Sequence, residues 1–150
     1  MYIIEKNNKI TGGRPVIFIQ EMLRQRRRKM ITHEWTVTHR GESITAVLHL
    51  VGEDCTVTVA GGELSHVGAV SVCPKTGEVQ TIVFPGHKEQ YITEPWGRHI
   101  HEITGGAVSV TAGVHYDGLT KQEIAGVMDA VSGLEEQMLR YLAGEREEMI

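Results

Sequence analysis

The feature that most constrains the fold of this chain is a repeated alternation of apolar with mostly polar residues between positions 34 and 60. Two short glycine-containing turns divide it into EWTVTHR (34–40), SITAVLHLV (43–51) and CTVTVA (55–60). Only a β-strand turns every second side chain to the same face, so each segment predicts a strand. Because connections this short join antiparallel neighbours, the three strands are predicted to form a meander.

Three more segments have the same period of two. AVSVC (69–73) and EVQTIVF (78–84) flank the connection 74–77, whose proline and glycine are typical of a hairpin turn. The segment AVSVTAGVHY (107–116) has one apolar face. Its other face carries only small or polar residues, at Ser109, Thr111, Gly113 and His115. The sequence therefore predicts about six strands.

The period changes to that of a helix in TEPWGRHIHEITGG (93–106), where apolar residues recur at three- and four-residue steps. Thr93 is the predicted N-cap, and the pair Gly105-Gly106 is the predicted stop. A second, longer helix opens with a T-x-x-E capping box at Thr120 and Glu123 and ends near Gly144. The predicted fold class is α+β, with an antiparallel sheet of about six strands and two helices packed on one face.

Charge divides the chain into a basic and an acidic part. Residues 1–29 hold eight Lys or Arg against two Glu and carry +6, so the rest carries −10. An acidic domain repels nucleic acid, so only the run RQRRRK (24–29) is a candidate for binding nucleic acid or a membrane surface. A solvated extension without a specific function is the favoured interpretation. Since Met30 offers a second start, this extension need not belong to the native product.

The predicted domain organisation follows from these boundaries: a basic N-terminal extension at 1–32, an α+β domain at 33–144 and a charged C-terminal tail at 145–150. The two cysteines form no CxxC pair and lie in apolar segments, which favours a reducing compartment. No apolar run has the length of a membrane span, and the N-terminus lacks the apolar block of a secretory signal. The sequence therefore predicts a cytoplasmic protein without a membrane partner.

The eight histidines raise the question of a metal site. His99 and His101 lie two residues apart on a predicted helix, where their side chains point about 200° from each other, so they do not chelate one ion. His39 and His49 are expected to face each other across the first hairpin, but no third ligand is in register with them. The sequence thus predicts no metal site. It also contains no nucleotide-binding fingerprint, nucleophile motif or catalytic residue set.

Three segments each offer a histidine among small neighbours: GGELSHVG (61–68), FPGHK (84–88) and the small face of 107–116. Glycines permit positive φ, so a loop at 61–68 could aim successive N–H groups at an anion such as phosphate. His66, His87 and Lys88 would add charge-assisted hydrogen bonds. A simple turn with solvated histidines explains the same residues, and the residues alone leave both interpretations open.

The motifs GGELSHVG, FPGH and TAGVHYDGLTKQEI (111–124), in this order and at these spacings, resemble those of the LpdD-like family. Its members are accessory proteins encoded with gallate and related hydroxyarylic-acid decarboxylases, and they are described as prenylated-flavin chaperones. The resemblance covers residues 33–143. It implies a protein that binds prenylated FMN and passes it to a UbiD-type decarboxylase, with a flavin prenyltransferase as a further partner.

The expected cofactor-binding residues are those at which the family motifs coincide with the glycine and histidine argument: Gly61, Gly62, His66, Gly68, His87, Thr111 and His115. The resemblance implies a carrier rather than an enzyme. Two alternatives stay open, namely a non-catalytic assembly partner of a decarboxylase complex and a histidine-dependent enzyme. A small open sheet also favours a homodimer.

Overall fold

The structure is a computed structural model that describes residues 3–4, 10–11 and 30–144. The basic run at 24–29 and the tail at 145–150 lie outside the described residues. The elements in chain order are β1 (Ile3–Ile4), β2 (Ile10–Thr11), β3 (Met30–His39), β4 (Glu42–Val51), β5 (Asp54–Gly62), β6 (Leu64–Cys73), β7 (Gln80–Val83), α1 (Gln90–Thr104), β8 (Val108–His115) and α2 (Lys121–Leu142).

A six-stranded sheet with the order β3-β4-β5-β8-β6-β7 forms the framework of the domain, while β1 and β2 make a separate two-stranded pair. The strands β3, β4 and β5 form the predicted meander, and β6 and β7 form the predicted hairpin. The α+β class with a mostly antiparallel sheet is confirmed. One expectation needs correction, because β5 and β8 are parallel.

The parallel pair arises because β8 lies between β5 and β6, which are consecutive in the chain. The chain leaves β5 at Gly62, crosses the end of β8 at Glu63 and enters β6 at Leu64. The Glu63 N–H donates to the carbonyl of His115, the last residue of β8, at 2.7 Å. Alternation within a strand does not specify its neighbours, so this insertion was not predictable from the pattern.

Both helices pack on one face of the sheet, as predicted. The helix α1 lies against β6 and β8, and α2 lies against β3 and β4. The buried residues between sheet and helices include Ile44, Leu48, Val57, Val59, Trp96, Ile100, Val110, Val131, Leu134 and Met138. Within residues 30–144, neither helix has the length and apolar character needed to cross a bilayer.

The helix ends agree with the sequence except at the start of α1. Thr120 caps α2 by accepting a hydrogen bond from the Glu123 N–H at 3.2 Å, and Gly105 ends α1 in the left-handed conformation. The predicted N-cap at Thr93 is wrong, because α1 begins at Gln90. Thr93 is fully buried within the helix, and its hydroxyl lies 2.7 Å from that of Ser71 on β6. This contact ties the first turns of α1 to the sheet.

Both thiols, Cys55 and Cys73, are free and buried. Burial, with a smaller contribution from Asp54, raises the pKa of Cys55 from 9.0 to about 11. We expect native Cys55 to react with a disulfide reagent at pH 8 about 100-fold more slowly than the unfolded chain, from its smaller thiolate fraction alone. Labelling followed by mass spectrometry, with and without urea, measures this ratio. Equal rates in both states would contradict the buried thiol.

The same shift predicts a pH effect on stability. Burial favours the neutral thiol of Cys55. The contribution of this thiol to the free energy of unfolding is therefore complete below pH 9 and is lost as the pH rises toward about 11.

Candidate functional site

Three histidines from separate segments meet at one end of the sheet. His66 lies near the start of β6, His87 lies in the turn before α1, and His115 ends β8. The ring centroids of His66 and His87 are 4.7 Å apart, and those of His66 and His115 are 6.1 Å apart. The structure therefore brings together the histidines of all three motifs.

The turn FPGH places His87 by local chemistry. The His87 N–H donates to the carbonyl of Phe84 at 3.1 Å, and Gly86 adopts φ 80°, which suits the third position of a type II turn after Pro85. The Phe84 N–H donates to the carbonyl of Gly68 at 2.9 Å. The turn is thus joined to β6 two residues from His66.

A bulge in β6 places His66. The ladder between β6 and β8 pairs Ser65 with Val114 and then Ala69 with Ala112, so three residues of β6 face the single residue Gly113. A Cβ on Gly113 would overlap the carbonyl oxygen of His66. This glycine therefore permits the bulge. The small residues of β8 could leave space for a ligand, but the backbone of His66 occupies that space beside Gly113.

The structure adds Glu89, a site residue that the sequence analysis missed. Its side chain is only 10% exposed, although it precedes α1 at the protein surface. Its Oε1 atom lies 2.7 Å from His66 Nε2, and its Oε2 atom lies 3.6 Å from His87 Nδ1. Oε2 also accepts a hydrogen bond from the Lys88 N–H at 3.1 Å. We refer to His66, His87 and Glu89 as the histidine–glutamate cluster.

Gly68 makes room for the carboxylate of Glu89. A Cβ at this position would overlap both oxygens of the Glu89 side chain. This overlap and the His66–Glu89 contact link the motif GGELSHVG to Glu89, and both are visible only in three dimensions. In the sequence, an acidic residue before a helix has an ordinary helix-dipole explanation, so nothing marks Glu89 as special.

The hydrogen bonds of His66 determine which of its nitrogen atoms is available. The Nδ1 atom lies 3.3 Å from the carbonyl oxygen of Leu64, which accepts a hydrogen bond in the tautomer that carries its proton on Nδ1. In the neutral ring Nε2 is then an acceptor that faces the carboxylate of Glu89. Two acceptors 2.7 Å apart require a proton or another cation between them.

The two glycines of the predicted anion loop lie in a strand. Gly61 pairs with Ile44 and Val114, and Gly62 pairs with His115. The loop conformation predicted for them is wrong, since β5 continues to Gly62. Within this strand Gly61 has φ 150° and Gly62 has φ 79°, so the positive φ expected of these glycines is present although no separate loop forms there. The participation of Gly61 and Gly62 in ligand binding stays a prediction.

Close backbone packing explains these glycines without a ligand. A Cβ on Gly61 would overlap the carbonyl of Ser43, and one on Gly62 would overlap the carbonyl of His115. Both residues therefore allow β5 to lie tightly between β4 and the end of β8.

Thr111 lies apart from the histidines. It pairs with Thr58 on β5 and Val70 on β6, four residues before His115. At about 3.3 Å per residue this places it about 13 Å from His115 along β8. Only a long ligand would reach both residues, and a role for Thr111 in binding stays a prediction.

His115 has a partner of its own. Its Nε2 atom donates to Asp117 Oδ1 at 2.8 Å, and this hydrogen bond holds the pKa of Asp117 below its usual value. The Asp117 N–H in turn donates to Glu63 Oε2 at 3.3 Å. The ring of His115 is therefore held in place beside the cluster.

His99 and His101, the helical pair that was not expected to bind one metal ion together, have different partners. His99 Nδ1 donates to Glu135 at 3.1 Å on α2, while His101 Nδ1 donates to the carbonyl of Gly106 at 2.8 Å. Burial raises the pKa of Glu135.

The expectation for the hairpin pair is wrong. His39 pairs with Glu42, next to the turn, whereas His49 pairs with Thr32 at the far end of the ladder. His39 and His49 thus lie at opposite ends of the hairpin and do not face each other.

Comparison with known protein families identifies the class of this domain. Residues 38–143, which are more than half of the chain, match the model of a family described as the prenylated flavin chaperone LpdD-like domain. The class is thus that of a chaperone or accessory protein. The chain belongs to the LpdD-like family, as its three motifs predicted.

Two known proteins are similar to much of the chain. Protein LpdD of Lactiplantibacillus plantarum is 28% identical over 113 residues, which are 72% of this chain and 83% of that protein. Among solved structures, a chain from a chaperone complex for yeast 20S proteasome assembly has a TM-score of 0.48 and 13% identity, over 76% of this chain and 98% of that chain.

Proposed function

We propose that this protein is a non-catalytic carrier that binds prenylated FMN and delivers it to a UbiD-type decarboxylase in the cytoplasm. A flavin prenyltransferase would supply the cofactor. Family membership supports the class of ligand. The main support for the proposal is that His66, His87 and His115 meet at one end of the sheet. The ring centroid of His66 lies 4.7 Å from that of His87 and 6.1 Å from that of His115.

The surroundings of the cluster suit a ligand with an aromatic ring and a phosphate. Leu64, Val67 and Phe84 are exposed apolar residues adjacent to His66 and His87 in the chain. An aromatic ring system packed on them would remove apolar surface from water. The phosphate would lie toward His87 and the exposed Lys88, since these groups offer positive charge and hydrogen-bond donors.

Glu89 limits where the phosphate can bind. A carboxylate repels an anion, but His66 lies 2.7 Å from it and offsets its charge when a proton is shared between them. His87 is 34% exposed and lies farther from the carboxylate, so it is the better anion ligand. Gly61, Gly62 and Thr111 remain candidates for the far end of an extended ligand.

A carrier must also release its ligand. The half-buried positions of His87 and His115 fit a shallow site that an acceptor enzyme can approach. A dissociation constant near the micromolar range, which is about −8 kcal/mol, permits both capture and transfer.

We expect the double substitution His66→Ala and His87→Ala to weaken binding of prenylated FMN by at least about 10-fold, since each charge-assisted hydrogen bond contributes about 1.5–3 kcal/mol. Anaerobic titration with the product of a flavin prenyltransferase, followed by absorbance or equilibrium dialysis, measures this change. The matched control is His49→Ala with His99→Ala, which removes two histidines away from the cluster. Unchanged affinity in the first variant would reject this binding site.

The second candidate function is an assembly partner, and it is favoured by the edge of the sheet at β7. This strand of four residues lies at the edge and exposes Ile82 and Val83, with Phe84 directly after it. Exposed apolar residues on an unpaired edge suit docking to a decarboxylase or to a second copy of the chain as a homodimer. A protein that binds the decarboxylase but retains no flavin when produced with the prenyltransferase would support this alternative.

A further inference from the structure

We propose that the histidine–glutamate cluster binds a divalent transition metal ion through His66 Nε2, His87 Nδ1 and a carboxylate oxygen of Glu89. This site is additional to the proposed function and does not depend on it. Two segments supply the ligands, namely the bulge in β6 with His66 and the connection between β7 and α1 with His87 and Glu89.

The distances between the candidate ligand atoms are close to those of a metal site. The candidate ligand atoms all lie within 4.8 Å of one another. Tetrahedral coordination with bonds of about 2.0–2.1 Å separates ligand atoms by about 3.4 Å. His66 Nε2 lies 2.7 Å from Glu89 Oε1, and His87 Nδ1 lies 3.6 Å from Glu89 Oε2, so the two distances lie on either side of that value. Side-chain rotation that brings one carboxylate oxygen between the two nitrogens would complete the site.

The hydrogen bonds around the cluster are those that orient metal ligands. A histidine that binds a metal usually donates its other ring N–H to a carbonyl or carboxylate. His66 donates its Nδ1–H to the carbonyl of Leu64 at 3.3 Å, which directs Nε2 toward Glu89. The carboxylate in turn accepts from the Lys88 N–H at 3.1 Å. Two of the three ligands thus have an outer-shell partner.

Burial and charge also favour a cation here. The side chains of His66 and Glu89 are 17% and 10% exposed, and a buried carboxylate needs compensating hydrogen bonds or positive charge. The Nε2 atom of His66 is an acceptor in the tautomer that bonds Leu64, so a cation between it and Glu89 satisfies both groups. Gly68 keeps this position open, because a Cβ there would overlap the Glu89 carboxylate.

The ligand types indicate which metals fit. Two imidazole nitrogens with one carboxylate oxygen suit Zn²⁺, Fe²⁺ or Co²⁺, whereas Mg²⁺ and Ca²⁺ prefer oxygen ligands alone. Three protein ligands leave at least one coordination position open for water or an anion. A metal at the cluster would also reverse the local charge and attract a phosphate group that Glu89 alone would repel.

The test uses the full-length protein without a polyhistidine tag and without flavin. We expect calorimetric titration with Zn²⁺ to show one ion per chain, and titration with Co²⁺ to give visible absorption bands of a low-coordinate nitrogen and oxygen site. The substitutions Glu89→Gln and His87→Ala should each weaken Zn²⁺ binding by at least about 100-fold, because even outer-shell partners are worth about 10–100-fold.

The control variant combines His49→Ala and His99→Ala, and it should bind Zn²⁺ as the parent protein does. Gly68→Ala provides an independent test, since its methyl group displaces the Glu89 carboxylate and should weaken binding without removing a ligand. Circular dichroism establishes that each variant is folded. If Glu89→Gln does not fold, His87→Ala still tests the proposal, because His87 lies in an exposed turn. Zn²⁺ binding that is absent, or that is unchanged in Glu89→Gln and His87→Ala, would overturn the proposal. Because no flavin is present, neither result depends on the carrier function.

Discussion

Replacing Gly113 by alanine is expected to destabilise the domain by about 3 kcal/mol or more. The added methyl group would overlap the carbonyl oxygen of His66, which is a backbone atom and cannot move without disturbing the ladder between β6 and β8. Overpacking in a well-packed region costs about 1–3 kcal/mol, and a backbone overlap lies at the upper end of that range. Urea unfolding followed by circular dichroism measures the loss.

Gly133→Ala is the matched control for this substitution. Gly133 lies within α2, and a Cβ there meets no atom within 4 Å. Because alanine is the better helix former, the control should gain about 0.5–1 kcal/mol of stability. Equal stabilities for the two alanine variants would contradict the bulge as described. If Gly113→Ala still folds, we expect it to lose the position of His66 and with it the cluster.

Trp96→Ala is expected to cost about 3–5 kcal/mol, the usual range for truncating a buried large aromatic residue. Trp96 is 3% exposed in the core between α1 and the sheet. Loss of its packing would also loosen the start of α1, which follows Glu89 directly. The free energy of unfolding is measured in urea by circular dichroism, so that the signal does not depend on the deleted indole.

Tyr91→Ala removes an aromatic side chain from the same helix and serves as its control. Tyr91 is 67% exposed, and a substitution at such a surface position usually changes stability by less than about 0.5 kcal/mol. A cost for Trp96→Ala as small as that of Tyr91→Ala would mean that α1 does not depend on the core contact.

Local sequence patterns predicted most of the secondary structure, because helices and strands depend largely on residues that are close together in the chain. The alternation in β4 correctly places Ile44, Ala46, Leu48 and Leu50 in the core. The T-x-x-E motif correctly begins α2 at Thr120. In both cases the physical cause, a side-chain direction or a cap, acts within four residues.

The site could be predicted only in part. The histidines of the three motifs do meet, but the sequence analysis missed Glu89. His66 and Glu89 are 23 residues apart, and no spacing rule connects them. The contact exists because Gly68 leaves space for the carboxylate and because α1 begins at Gln90, three residues before the predicted N-cap.

The sequence by itself determined the α+β class, the buried side of β4 and the family to which the chain belongs. The tertiary structure decided the parallel pairing of β8 with β5, the bulge opposite Gly113 and the position of Glu89 between two histidines. The division has a physical reason. Periodicity and capping are properties of adjacent residues, whereas strand order and side-chain clusters depend on which distant surfaces pack together, and many pairings satisfy the same local pattern.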